Sequence, residues 1–379
     1  MKKILFIQNN GSTNGGVWSV NHSLALKFKE LGYDVVISAI RDAFPKDKTK
    51  DVKTYVVNED KTWNVLSKKE CIKLLFRFKV SRCINELKEN KLRKKDILKL
   101  KDYINDYDPD FIIASHYQVL DGIPKEYLAK TIHVHHNTFN LVLGNRDNLR
   151  TLFKYNNRVT YCWLSKASMN KAKRCGLNNC EFIYNPVKFE TKKSADVVKN
   201  KKLITLTRLV PEKRISLMID IVDEVLQNKK LKGWTLDIYG TGVLKDEIAA
   251  KVKKYRNIKL YDPADAEKSY LTGSINLNTS SYEGFPMTIL EASECAIPTV
   301  TLNYGESVYE QVRDYHNGFV ALNIDDFKEK LTALMMDEKT LKAFSKNAKK
   351  NNEIFHIDNV IKCWEELFES IKEGIEKDD

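Results

Sequence analysis

Two glutamates eight positions apart, Glu283 and Glu291, flank a glycine turn and the start of an apolar run in Ser281-Tyr282-Glu283-Gly284-Phe285-Pro286-Met287-Thr288-Ile289-Leu290-Glu291-Ala292. A strand-like stretch, Ile275 to Leu277, precedes them, and Thr288, Ile289, Ala292 and Cys295 follow at helical spacing. Strand, turn and helix are expected, with Pro286 at the first helical position, where no N–H is needed. The amides of Met287 and Thr288 and the positive end of the helix dipole then point into the Gly284-Phe285 turn and form an anion site. Glu291 falls about 7 Å along the axis, at about 1.5 Å per residue, close to the distance from a diphosphate to the ribose hydroxyls of a nucleotide. A carboxylate pair also raises glycoside hydrolysis. Glu291 sits in the helix where it suits ribose, which leaves Glu283 without a second catalytic carboxylate, so binding roles are preferred for both.

Arg208 and Lys213 bracket the loop between the strand Leu203 to Thr207 and a helix carrying Ile215, Met218, Ile219 and Val222. Two fixed cations beside a helix N-terminus can hold a diphosphate and stabilise its charge as it leaves, without a metal. Gly240-Thr241-Gly242 closes the next strand and is a further candidate for close ligand approach. In the first half, Asn9 to Val17 forms a glycine-rich turn ending in Gly16, ahead of a helix with Val20, Leu24, Phe28 and Leu31. It lacks the Gly-x-Gly-x-x-Gly spacing and a placed acid for a dinucleotide. His116 and His136, with Asn137, follow strands and gather where parallel sheets bind ligands. His133, His135 and His136 suggest zinc, but alternation along a strand separates His136 from the other two, and no carboxylate or cysteine completes a site. No metal is expected.

The elements that must position these groups alternate strand and helix throughout. A chain of 379 residues with 42% hydrophobic content divides into two domains. The expected class is α/β, with two Rossmann-like doubly wound domains facing a central cleft. Residues 1–187 form the first domain, 188–200 a polar linker, 201–355 the second domain, and 356–379 a helix with Val360, Ile361, Trp364, Leu367 and Ile371 that crosses back. The seven scattered cysteines, the short apolar start and the absence of about 18 consecutive apolar residues point to a cytoplasmic protein. A formal charge of +12 asks for an anionic partner. Much of it lies in a basic helical segment, 61–105, where Lys91, Arg93, Lys94, Lys95 and Lys99 alternate with Leu87, Ile97 and Leu98. That pattern suits either an anionic membrane surface or a helical hairpin packed on the sheet with its lysines in solvent.

These residues resemble the nucleotide-sugar-dependent retaining glycosyltransferases of family four, which have the GT-B fold. The resemblance spans nearly the whole chain and rests on Asn14-Gly15-Gly16, His116, His136, Ser165 and Tyr184-Asn185-Pro186, then Arg208 with Lys213, Gly240-Thr241-Gly242, and Glu283 to Glu291 followed by Ala296-Ile297-Pro298. It implies that Arg208 and Lys213 hold the donor diphosphate, Glu291 the ribose, and Glu283 the sugar near its anomeric carbon, with Gly16 and His136 completing the site. It also implies transfer with retention, without metal or other cofactor, the leaving phosphate accepting the acceptor's proton. Pro286 and Pro186 stand where many relatives have glycine.

The expected function is transfer of a hexose or N-acetylhexosamine from a UDP-linked donor to a cell-envelope glycan, lipid-linked or polyol-phosphate acceptor, with peripheral membrane contact through 61–101. A nucleotide-sugar epimerase of the same fold is the alternative; a phosphorylase would need a pyridoxal-binding lysine that is not identifiable. A basic nucleic-acid-binding protein is disfavoured, because the lysines are dispersed and no aromatic and glycine motif accompanies them.

Overall fold

The computed structural model describes residues 1–11, 16–45, 49–59 and 80–378, with backbone alone for 80–93, 118 and 378. The glycine turn before Gly16 and the lysines and arginine at 68, 69, 73, 77 and 79 of the basic segment lie outside the described residues. The chain divides into two compact units, one made of 1–163, 169–183 and 361–379, the other of 164–168 and 184–360.

The first unit is built on seven parallel strands among the described residues: β1 (Lys3–Asn10), β2 (Asp34–Arg41), β3 (Lys53–Asn58), β4 (Phe111–Ala114), β5 (Thr131–His135), β6 (Thr160–Trp163) and β7 (Cys180–Phe182). Their spatial order is β3-β2-β1-β4-β5-β6-β7. Runs such as Ile4-Leu5-Phe6-Ile7 and Phe111-Ile112-Ile113-Ala114 are buried along their whole length, as parallel strands covered on both faces require. The first helix, α1 (Gly16–Glu30), buries Val20, Leu24 and Phe28 at the predicted spacing.

The long helix α2 (Val80–Tyr107) packs on β2 and β3. Its described part turns Asp96, Leu100 and Ile104 inward and leaves Lys94, Lys95 and Lys99 exposed. Leu98, read as part of the apolar stripe, is 60% exposed. The stripe is displaced because a charge occupies its first inward position: Asp96 accepts from Arg41 Nε at 2.8 Å and from Asn58 Nδ2 at 3.1 Å. Tyr55 of β3 and Tyr103 of α2 stack at 3.6 Å.

The second unit holds six parallel strands: β8 (Lys202–Leu206), β9 (Thr235–Tyr239), β10 (Ile258–Tyr261), β11 (Ile275–Asn278), β12 (Thr299–Leu302) and β13 (Gly318–Ala321), ordered β10-β9-β8-β11-β12-β13. Between them run α3 (Ile215–Leu226) and α4 (Met287–Glu294), among other helices. Residues 188–200, read as a linker, are part of this unit, with Ala195 and Val197 in its core. Two small apolar side chains in a polar run carry too little periodicity to signal that packing.

The final helix, α5 (Ile357–Asp378), belongs to the first unit from Ile361 onward. Phe368, 1% exposed, stacks on Phe111 at 4.1 Å and meets Phe28 at 5.5 Å, so the helix closes the face of β1 and β4. Among the described residues no helix is long and apolar enough to cross a membrane. Replacing Phe368 by Ala opens a cavity in this aromatic cluster and is expected to lower the unfolding free energy by about 3–5 kcal/mol, measurable as a shift in urea midpoint.

Candidate active site

In the second unit the strand order reverses between β8 and β11. Loops leaving two such strands run to opposite sides and open a crevice at their carboxyl ends, the usual ligand position in an open parallel sheet. Residues 207–214 follow β8 and 279–286 follow β11. The two loops are tied to each other by hydrogen bonds. Arg214 Nε donates to the Thr279 carbonyl at 2.7 Å, and a terminal guanidinium nitrogen donates to the Ser280 carbonyl at 3.0 Å. Thr279 Oγ1 donates to the carbonyl of Lys213 at 3.0 Å, and Ser281 N to that of Glu212 at 2.8 Å.

The charged groups sit on this frame. Lys213 Nζ is ion-paired with Glu283 Oε1, which also accepts from Ser280 Oγ at 2.6 Å. Both charged side chains are largely buried. Lys213 and Glu283, read separately as a phosphate and a sugar contact, are therefore brought into direct contact. Arg208 is exposed, and its guanidinium lies 3.5 Å from Glu212 Oε1. An exposed pair of that length holds the side chain weakly.

Gly240 and Gly242, read as ligand contacts, have protein backbone against them. A Cβ at Gly240 would stand 1.9 Å from the Thr207 carbonyl oxygen, and one at Gly242 2.4 Å from that of Leu209. Gly242 also adopts φ +156°. Leu209 N donates to Thr241 O at 2.8 Å, so the glycines let the turn after β9 lie flat beneath the loop that carries Arg208.

Helix α4 starts at Met287, one residue later than predicted, and Pro286 occupies the capping position before it (φ −65°, ψ 115°). The proline ring has no acceptor with which to cap the helix; its carbonyl accepts from Gln311 Nε2 at 3.1 Å. Gly284 and Thr288 are half-buried beside it. The ring of Phe285 turns away into protein, stacked on Tyr184 at 5.4 Å and edge-on to Phe355 at 5.6 Å. Glu291 is 8% exposed and makes no hydrogen bond or salt bridge with the described residues. Burial pushes its carboxyl up to about 7, against the pull of Lys188. A buried carboxylate with open acceptor sites suits a ligand that brings hydroxyl donors.

In the first unit the strand order reverses between β1 and β4. Asn21 of α1 is buried there and donates to Gln8 Oε1 at 3.3 Å and Ser115 Oγ at 3.2 Å, joining the two strand ends. Gly16 begins α1 with open space where a Cβ would stand. Strand β4 ends at Ala114, which puts His116 two residues beyond it, half-buried. His136 directly follows β5, its Nε2 buried without a hydrogen bond, and burial lowers its pKa to about 4. It is a neutral imidazole at pH 7. Asn137 is exposed next to it. His133 and His135 share one face as alternation predicts, with Nδ1 of the first 2.9 Å from Nε2 of the second. Tyr117 OH lies 3.0 Å from His135 Nδ1, and the His135 ring stacks on Trp163 at 3.9 Å. Among the described residues no three His, Cys, Asp or Glu side chains group as metal ligands.

Sequence reasoning missed Arg214, Ser280 and Asn21. Arg214 and Ser280 act on main-chain carbonyls and on a neighbouring side chain, contacts that leave no periodic or motif signal. Asn21 had a weak one, a polar residue at an inward helical position.

The family model for glycosyl transferases group 1 matches residues 187–351. The matched region lies within the second unit and contains Arg208, Lys213, Glu283 and Glu291. The amylovoran biosynthesis glycosyltransferase AmsD of Erwinia amylovora is 27% identical over 175 residues, 45% of this chain and 48% of that protein. The poly(ribitol-phosphate) alpha-N-acetylglucosaminyltransferase of Staphylococcus aureus is 29% identical over 174 residues, 44% of this chain and 34% of that protein. The chain thus spans less than half the length of these two relatives. The solved structure of S. aureus TarM with fondaparinux, alpha-GlcNAc-glycerol and UDP superposes with a TM-score of 0.75 at 16% identity, covering 97% of this chain and all of that one. The expected fold is borne out: two parallel-sheet α/β domains of the GT-B type, with the resemblance to cell-envelope glycosyltransferases.

Glu291 gives the second unit a pH-dependent stability. Its pKa is raised in the fold, so its contribution is undiminished below about pH 4.5 and is lost as the pH rises through about 7, by roughly 3 kcal/mol. Glu291→Gln removes the titrating group. Across pH 5 to 8 the denaturation midpoint of wild type should fall relative to that of the variant; the pH dependence the two share comes from the buried histidines of the first unit, whose lowered pKa values act in the opposite direction.

Proposed function

We propose that the protein is a retaining, metal-independent glycosyltransferase that moves a hexose or N-acetylhexosamine from a UDP-sugar to a cell-envelope glycan, lipid-linked or polyol-phosphate acceptor. The observation that carries this reading is the set of groups at the β8/β11 reversal. It comprises one exposed cation, one buried cation held by a carboxylate, a helix start and a second, unpartnered buried carboxylate. Read together, they follow the polarity of a nucleotide-sugar. Arg208 and Lys213, with the amides at the start of α4, take the diphosphate and stabilise the charge that grows as it departs. Glu291 accepts from the ribose hydroxyls once ionised. Glu283, released from Lys213 by the phosphate oxygens, keeps its contact to Ser280 and accepts from the sugar hydroxyls. The preference for a uridine donor is supported by the UDP bound in TarM.

Retention follows from a leaving group and an incoming hydroxyl on the same face of the sugar. The bond between the anomeric carbon and the phosphate oxygen breaks, that between the same carbon and the acceptor oxygen forms, and the departing phosphate takes the acceptor's proton. The alpha linkage in the name of the S. aureus relative supports this stereochemistry for a donor that is itself alpha-linked. In the first unit, neutral His136, with Gly16 and the polar groups His116 and Asn137, offers hydrogen-bonding partners for sugar and acceptor hydroxyls.

UDP release from UDP-glucose and UDP-N-acetylglucosamine, with a panel of polyol-phosphate and glycan acceptors, tests the reading. Arg208→Ala is expected to lower turnover by about 2–4 kcal/mol of transition-state stabilisation. Wild-type turnover should persist in EDTA; near-wild-type turnover of Arg208→Ala, or loss in EDTA restored by magnesium, contradicts the assignment. The exposed Lys94 and Lys95 support an anionic acceptor or membrane partner for the basic segment. Changing Lys91, Arg93, Lys94 and Lys95 to Glu should weaken binding to vesicles of anionic lipid or to poly(glycerol phosphate), and unchanged binding to both removes that role.

A further inference from the structure

Arg214 combines two features that are each unfavourable in an ordinary surface loop. Its backbone is left-handed, with φ +49°, where a residue with a Cβ is strained. Its guanidinium forms no salt bridge among the described residues, and burial holds it below its usual range. The compensation is its fork of donors, two of which reach the consecutive carbonyls of Thr279 and Ser280 at 2.7 and 3.0 Å. A lysine cannot reproduce that planar geometry. Thr279 Oγ1 answers by donating to the carbonyl of Arg214 itself at 3.2 Å, so the contact is reciprocal.

Ser280, 2% exposed, transmits this hold. Its carbonyl is fixed by Arg214, its N–H donates to Asn278 Oδ1 at 2.9 Å, and its Oγ donates to Glu283 Oε1 at 2.6 Å. The carboxylate oxygen so fixed is the one that pairs with Lys213, the residue directly before Arg214. The chain from Arg214 through Ser280 and Glu283 to Lys213 is a closed ring across the reversal of the sheet.

We propose that Arg214 and Ser280 are positioning residues of the transfer reaction: they fix the 279–283 backbone and the Glu283 carboxylate so that Glu283 meets the donor sugar in one orientation. They set turnover and leave nucleotide affinity to Arg208, Lys213 and Glu291. The inference rests on the donor-site reading above.

Three variants test it. Arg214→Gly removes the fork and suits the positive φ, so the fold is kept; Arg214→Lys keeps the cation and loses the fork; Ser280→Ala removes the contact to Glu283. UDP affinity by calorimetry, UDP release from UDP-glucose and UDP-N-acetylglucosamine, and amide hydrogen exchange over residues 279–286 are measured for each. Turnover should fall about tenfold to a hundredfold in all three, the scale of misplacing a reacting group. UDP affinity should stay within about threefold of wild type, a change under about 1 kcal/mol. Exchange over 279–286 should quicken in both Arg214 variants. Turnover and exchange matching wild type overturn the proposal, as does a loss of UDP affinity as large as the loss of turnover, which makes Arg214 a phosphate ligand. Wild-type protein that neither binds UDP nor releases it from either donor overturns the donor-site reading instead.

Discussion

The parting of β8 and β11 in the second sheet is the constraint on which the site depends. Parallel strands whose successors leave in opposite directions cannot share the loops above them, so the sheet alone opens a crevice and supplies nothing to hold its sides in register. Side chains restore the register. Arg214 reaches across to two carbonyls, Thr279 reaches back, and Ser281 N closes on Glu212. Beneath the β8 loop, two glycines admit a second layer of backbone that no larger residue would. Each charged group of the site extends from this framework or from the helix that starts beside it.

The charges on that framework are graded by burial. Arg208 stands in solvent, Lys213 and Glu283 neutralise each other partly out of it, and Glu291 is enclosed with its proton held to about neutrality. An isolated buried ion costs more than its neutral form, and burial accordingly displaces the carboxyl of Glu291 and leaves the exposed groups to pair loosely. The first unit follows the same rule with a different residue type. His133 and His135 are buried and uncharged, committed to Tyr117, Trp163 and each other.

The fold was legible because parallel strands are nearly continuous apolar runs and helices repeat at 3.6 residues; both are local signals, and β1, β2, β4, β8 and α1 were read from them. Strand β13, Gly318-Phe319-Val320-Ala321, escaped, although it is no shorter than β4. The inward face of α2 was misjudged because Asp96 is buried through a pairing with Arg41, 55 positions away, which local hydropathy does not record. Within the site, Arg208, Lys213, Glu283 and Glu291 were found because charge next to glycine and a helix start has few ordinary uses. Arg214 was passed over beside Lys213, since its partners are carbonyls common to every residue. The direct contact of Lys213 with Glu283 joins two loops 70 positions apart and was equally invisible.

Phe368 fills the first unit from nearly the far end of the sequence. During synthesis, β1 and β4 emerge early, but the aromatic face of Phe28 and Phe111 has no cover until the last helix follows. The second unit is complete in the sequence at Val360, before that helix's Phe368 is made. The nascent protein therefore carries an apolar surface for as long as it takes to translate some two hundred and fifty further residues.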